Sequence, residues 1–168
     1  MRHGNYDRRA PNPDKPLDNV GILQSEKAGM ELARTGERYK VISSNLARAV
    51  QTAEIIASML GNQTTVGSSR VINEAGNDFR IVNDLRRVVE AAMTETGTEV
   101  ADDENLLIVT HQPLVTAAKE IQLPGQFVEP AAYVETATIR LDSWRNASFY
   151  HDDAFEQLLA SIEATRPV

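Results

Sequence analysis

The chain contains no cysteine. That excludes disulfides, thiolate metal sites and a cysteine nucleophile. It has no apolar stretch near the ~20 residues that cross a bilayer. Met1 leads straight into a polar segment, and no signal-peptide pattern is visible. A cytoplasmic protein without a membrane partner is expected. Asn62-Gln63-Thr64 and Asn146-Ala147-Ser148 match the glycosylation pattern, but without a secretion signal they carry little weight. An excess of positive charge is also lacking: Lys+Arg number 17 against Asp+Glu 24, a net charge of -7. Nucleic-acid binders present a basic patch or stripe, so no nucleic-acid partner is expected. An anionic small ligand stays compatible, because a site can be basic on an acidic protein.

The 168 residues are 42% hydrophobic, enough for one domain with a real core and too apolar for disorder. There is no internal repeat or low-complexity tract. Residues 5–20 are polar and include Pro11, Pro13 and Pro16, which reads as a loop. Ile22 to Ala33 reads as a helix, with Ile22, Ala28 and Leu32 among its apolar positions. Tyr39 to Ser43 reads as a short buried strand. Leu46, Val50, Ala53, Ile56 and Leu60 recur at helical spacing before Gly61. Val66 to Ile72 reads as a weaker strand and Phe79 to Met93 as a helix, with Ile81, Leu85, Val88, Val89 and Ala92 on one side. Leu106 to Val109 is the clearest strand, four apolar residues in a row, as expected with both sheet faces covered. Pro113 opens a helix over Leu114 to Ile121. Val134 to Leu141 and Ala147 to Tyr150 read as strands about a turn at 143–146, and Ala154 to Ala164 as a last helix. The alternation implies an α/β three-layer sandwich, a mostly parallel central sheet with helices on both faces, as a single domain over 1–168.

Ligands of such sheets bind beyond the carboxyl ends of the strands. His111 falls just past the Leu106–Val109 strand, and Asn45 to Arg48 just past the Tyr39–Ser43 strand. Both segments carry chemistry suited to a phosphoryl group. Arginine offers it a planar, permanently charged fork of donors, so Arg2 and Arg48 are the candidate clamps. A neutral imidazole nitrogen can attack phosphorus and split one displacement into two. His3 is the candidate nucleophile, and its other ring nitrogen should then donate to a backbone carbonyl. His111 would bind phosphate oxygens and stabilise charge in the transition state. Arginines and histidines supply the positive field, so no metal or cofactor is required. Asn5 is a further candidate phosphate contact. Ser43 and Ser44 either donate to phosphate or cap the following helix. Arg8, Arg9 and Lys15 read as solvated loop charges, and His151 as surface or packing.

Three elements in this order, Arg2-His3-Gly4, then Ser44-Asn45-Leu46-Ala47-Arg48-Ala49-Val50-Gln51-Thr52-Ala53, then Thr110-His111-Gln112-Pro113, resemble the histidine phosphatase superfamily, which is phosphoglycerate mutase-like. The resemblance covers most of the chain, to about Tyr150. It implies the same four roles at Arg2, His3, Arg48 and His111. It also implies an acid in the stretch Ile72-Asn73-Glu74, making Glu74 the first choice for proton donor and Asp78 the alternative. Only about thirty-five residues separate Glu74 from His111, a minimal helical insertion that implies an open site with few walls. Such a site, with His111-Gln112-Pro113-Leu114-Val115, looks like the SixA-like phosphohistidine phosphatase branch. The implied partner is a phosphorylated protein bearing phosphohistidine. A small phosphate ester, or phosphate binding without turnover, are the alternatives. In proteins the chain resembles, the Arg-His-Gly motif follows a short central strand. Here only Met1 precedes Arg2, so either residues upstream of Met1 are missing or the sheet lacks that strand. The first is expected, because the second leaves backbone edges unpaired.

Overall fold

A computed structural model describes residues 1–11, 15–61, 66–75, 85–122 and 129–139, together with Ala160 and Ala164. The elements in chain order are α1 (Asn19–Ala33), β1 (Arg38–Ser44), α2 (Ala47–Leu60), β2 (Val66–Ser69), α3 (Arg70–Ala75), α4 (Leu85–Thr96), β3 (Glu104–Val109) and α5 (Gln112–Gln122). The strands pair in parallel in the order β2-β1-β3. In register, Val41 stands between Val66 and Leu107, and Ile42 between Gly67 and Ile108.

The apolar run of β3 divides between two cores because successive strand residues face opposite ways. Leu107 and Val109 pack with Val41 under α1 and α2, against Ala28, Ala49, Ala53 and Ile56. Leu106 and Ile108 face the other core with Ile42, where α3, α4 and α5 contribute Val71, Ile72, Val88, Ala92 and Leu114. The molecule is therefore the expected three-layer α/β sandwich. Between α3 and β3, α4 is the only helix among the described residues.

Three readings change. β2 stops at Ser69, and Val71 and Ile72, read as strand, are buried on α3 instead. The Glu95 carboxylate of α4 causes the switch: it accepts from Ser69 Oγ at 2.6 Å and from the Arg70 backbone N–H at 3.1 Å, holding the start of α3. Residues 134–139 are irregular rather than strand, although Ala137 and Ile139 pack against the core. Val134 has φ +51°, which a β-branched residue adopts only under strain and which breaks an extended run. On α1, Ile22 is exposed, and the buried face is Gly21, Ser25, Ala28 and Gly29. The residues 76–84, 123–128 and 140–159 lie outside the described residues. So do Asp78, Ile81, His151 and the reading of 147–150 as strand. Of the last helix, Ala160 and Ala164 are helical.

Candidate active site

Met1 to His3 runs parallel to the end of β3. The Met1 backbone nitrogen donates to Ile108 O at 2.7 Å, Thr110 N–H to Met1 O at 2.9 Å, and His3 N–H to Thr110 O at 3.0 Å. On its other side the Arg2 N–H donates to Glu135 O at 3.0 Å. This segment thus occupies a strand position beside β3, and His3 is fixed from both sides. Gly4 follows because no side chain fits: a Cβ there would lie 2.7 Å from the Gly21 carbonyl of α1. The Gly4 N–H donates to Thr52 Oγ1 of α2 at 3.0 Å, which ties the turn after His3 to the helix that carries Arg48.

His3 has one tautomer consistent with its partners. Nδ1 lies 2.7 Å from Gly4 O, an acceptor, so Nδ1 carries the hydrogen. Nε2 accepts from Arg48 Nε at 3.1 Å. The ring is 3% exposed, and burial is the main cause that lowers its pKa to about 4, with the Arg48 and Arg2 charges adding to it. His3 is therefore neutral at ordinary pH, with its lone pair on Nε2. His111 stands with its ring centroid 5.1 Å from that of His3. Its Nε2 is 2.8 Å from Ser44 Oγ, which also accepts from Leu46 N–H at 3.2 Å, so Ser44 fixes the orientation of the ring. Burial, then the neighbouring His3 and arginine charges, lower its pKa to about 3.

The two arginines reach this point from opposite sides. Arg2 donates from Nη1 to Ala131 O at 2.6 Å, and its guanidinium lies 4.0 Å from the centre of the Tyr133 ring. The Arg48 guanidinium lies 4.8 Å from the centre of the Tyr6 ring. Arg2 Nε and Arg48 Nη1 are buried without a hydrogen-bond partner among the described residues. Buried charged donors left unpaired are costly, and such a pair beside two neutral imidazoles suits an anion. The turn bearing Tyr133 is pinned by Glu135, which accepts from Ala132 N–H at 2.6 Å and pairs with Lys119 of α5 at 2.6 Å.

Arg2, His3, Arg48 and His111 are thus brought together. Asn5 is committed elsewhere: its amide donates to the α1 N-cap Asp18 at 2.7 Å, and its backbone N–H to Gln24 Oε1 at 2.9 Å. Ser44 holds His111 rather than capping α2, whose N-cap Leu46 makes no side-chain bond. Ser43 is buried. Glu74 lies on α3 by its backbone, and its side chain is outside the described residues. The site is less open than a short insertion implies. His111 is only 9% exposed, and the walls are Tyr6 and Tyr133, which sequence reasoning missed. Tyr6 sits three residues past His3 and could have been found from that proximity. Tyr133 has no local signal. Beyond Tyr6 opens a groove of about 590 Å³ lined by Asp7, Arg8, Leu17 and Asp18.

Residues 1–77 match the family model of the histidine phosphatase superfamily (branch 1). No curated protein sequence matches the chain. Among solved structures it is similar to a protein histidine phosphatase SixA complexed with tungstate, at 22% identity and TM-score 0.60, covering 90% of this chain and 92% of that one. It is also similar to a putative phosphohistidine phosphatase SixA from Agrobacterium tumefaciens, at 19% identity and TM-score 0.56, covering 74% and 75%. A mycobacterial glucosyl-3-phosphoglycerate phosphatase in complex with VO3 is similar at 21% identity and TM-score 0.51, covering 73% and 79%. The N-terminal part of the chain is thus similar to the histidine phosphatase superfamily, and its fold is the one these structures share.

Proposed function

We propose that the chain is a phosphohistidine phosphatase that works through a phosphorylated His3. The carrying observation is the tautomer of His3, with Nδ1–H on Gly4 O and Nε2 facing Arg48. Arg2 and Arg48 take the non-bridging oxygens, using the unpartnered Arg2 Nε and Arg48 Nη1. The neutral Nε2 of His3 forms a bond to phosphorus as the bond to the leaving group breaks. His111 donates a ring N–H to an oxygen of the transferring group and stabilises its charge in the transition state. Glu74 supplies the leaving group's proton. In the second half Glu74 takes a proton from water, whose oxygen attacks phosphorus and frees Nε2. Asn5 has a secondary part, since Asp18 already holds its amide. Oxyanions that resemble phosphate, tungstate and VO3, are held by proteins of the same fold.

The substrate is a phosphorylated side chain on another protein, for which an imidazole is the leaving group. The test measures phosphate release from a phosphohistidine-bearing protein domain and from p-nitrophenyl phosphate, with the unaltered chain and His3→Ala. Release from the protein that disappears in His3→Ala is expected. Hydrolysis of the aryl ester alone would reassign the chain to small phosphate esters. Phosphate binding without release from either would leave a non-catalytic binding module.

A further inference from the structure

Tyr6 and Tyr133 stand against His3 at ring-centroid distances of 5.5 and 5.9 Å, and against each other at 6.4 Å. Each also lies under one guanidinium, Tyr133 under Arg2 and Tyr6 under Arg48. The rings that hold the two arginines therefore also pack against the His3 ring. With phosphorus roughly 3 Å from Nε2 at near attack, the leaving atom stands on its far side about 5 Å from Nε2. The two tyrosine rings stand 5.5 and 5.9 Å from the centre of the His3 ring, so both are within contact reach of a ring-bearing leaving group on that atom.

We propose that Tyr6 and Tyr133 set the leaving-group preference, favouring a planar unsaturated ring over a saturated group of equal size. The proposal rests on His3 as the attacking group. An imidazole or aryl ring can meet the tyrosines edge to face or offset, as neighbouring aromatic rings prefer, whereas a puckered saturated ring is thicker and lacks the matching quadrupole. The pairing is worth roughly three- to tenfold in relative rate. A tyrosine that only positioned its arginine would change every substrate alike, because the arginines touch the phosphoryl group common to all of them.

The experiment compares kcat/KM for benzyl phosphate and cyclohexylmethyl phosphate, which both leave as primary alkoxides and differ in the flatness of the ring. Tyr6→Leu and Tyr133→Leu are expected to lower the benzyl-to-cyclohexylmethyl ratio about three- to tenfold, and Tyr6→Phe and Tyr133→Phe to keep it. Equal slowing of both esters in the leucine variants would confine the rings to positioning and overturn the proposal. Inhibition of the unaltered chain needs no variant to fold. Benzylphosphonate should compete at least threefold better than cyclohexylmethylphosphonate, and equal or reversed potency also overturns the proposal. Full turnover of both esters by His3→Ala would instead remove the role of His3, and this proposal with it.

Discussion

Arg48 has two tasks that only a guanidinium combines. Its Nε holds the His3 lone pair at 3.1 Å, while Nη1 is buried and unpartnered on the same rigid fork. Lysine carries the charge on a compact ammonium without the planar fork, so it does not hold a ring nitrogen and a phosphate oxygen in the same fixed geometry. Arg48→Lys should therefore cost about ten- to hundredfold in kcat/KM, the worth of one charged hydrogen bond. Inhibition by inorganic phosphate should weaken in parallel. Steady-state kinetics near pH 7 check both, and an unchanged kcat/KM would mean that Arg48 does no more than fill space beside Tyr6. The convergence of Arg2, His3, Arg48 and His111 was legible because charge, tautomer requirement and strand-end position all reside in short segments. Tyr133 was not, since it reaches the site only through a strained turn at Val134 and the Lys119–Glu135 pair.

At the scale of elements, α1 shows where a hydrophobic pattern misleads. Its inner face is built of small residues so that its backbone can come close to the turn after His3 and to α2. A Cβ on Gly21 would lie 2.0 Å from the Asn5 carbonyl oxygen, and one on Gly29 would lie 3.0 Å from the Met59 side chain. Helix propensity alone favours Gly21→Ala by ~1 kcal/mol, whereas the backbone contact requires α1 or the 4–6 turn to move. We expect the contact to win, with a net loss of about 1–3 kcal/mol and a Tm lower by roughly 2–10 °C. A thermal melt of Gly21→Ala decides it, since a raised Tm would mean that the turn yields freely. The same pattern-blindness explains Val71 and Ile72. Their β-branched composition read as strand, but Glu95, distant in sequence, starts a helix there. β1, α2 and β3 were readable because their burial is apolar and periodic, so sequence and packing carry the same signal.

The whole molecule is acidic, with net charge -7, yet its site gathers two half-buried arginines and two histidines held neutral. That contrast makes stability depend on pH. An imidazole titrates near 6.5 in the unfolded chain, whereas folding lowers His3 to about 4 and His111 to about 3. As pH falls below 6.5 the unfolded state takes up protons that the native state refuses, so the equilibrium shifts toward unfolding. The contribution is fully present above pH 6.5 and is lost progressively down toward pH 4. Each histidine forfeits about 1.4 kcal/mol per pH unit within that window, so acidifying from pH 7 to pH 5 should cost on the order of 2–4 kcal/mol through the two histidines, and the Met1 amine, which burial lowers from 8.0 to about 5, adds to it. Asp7 and Glu135, held below their ordinary values, lose their contribution only at lower pH. Urea unfolding at pH 7.5, 6 and 5 measures the slope. The double variant His3→Gln, His111→Gln, which has no imidazole in the site, should reduce the slope to the part left by the Met1 amine. A slope in the unaltered chain no steeper than in that variant would show that the two histidines are solvated enough to accept protons in the native state, and the neutral His3 required for attack would then need a higher pH to be maintained.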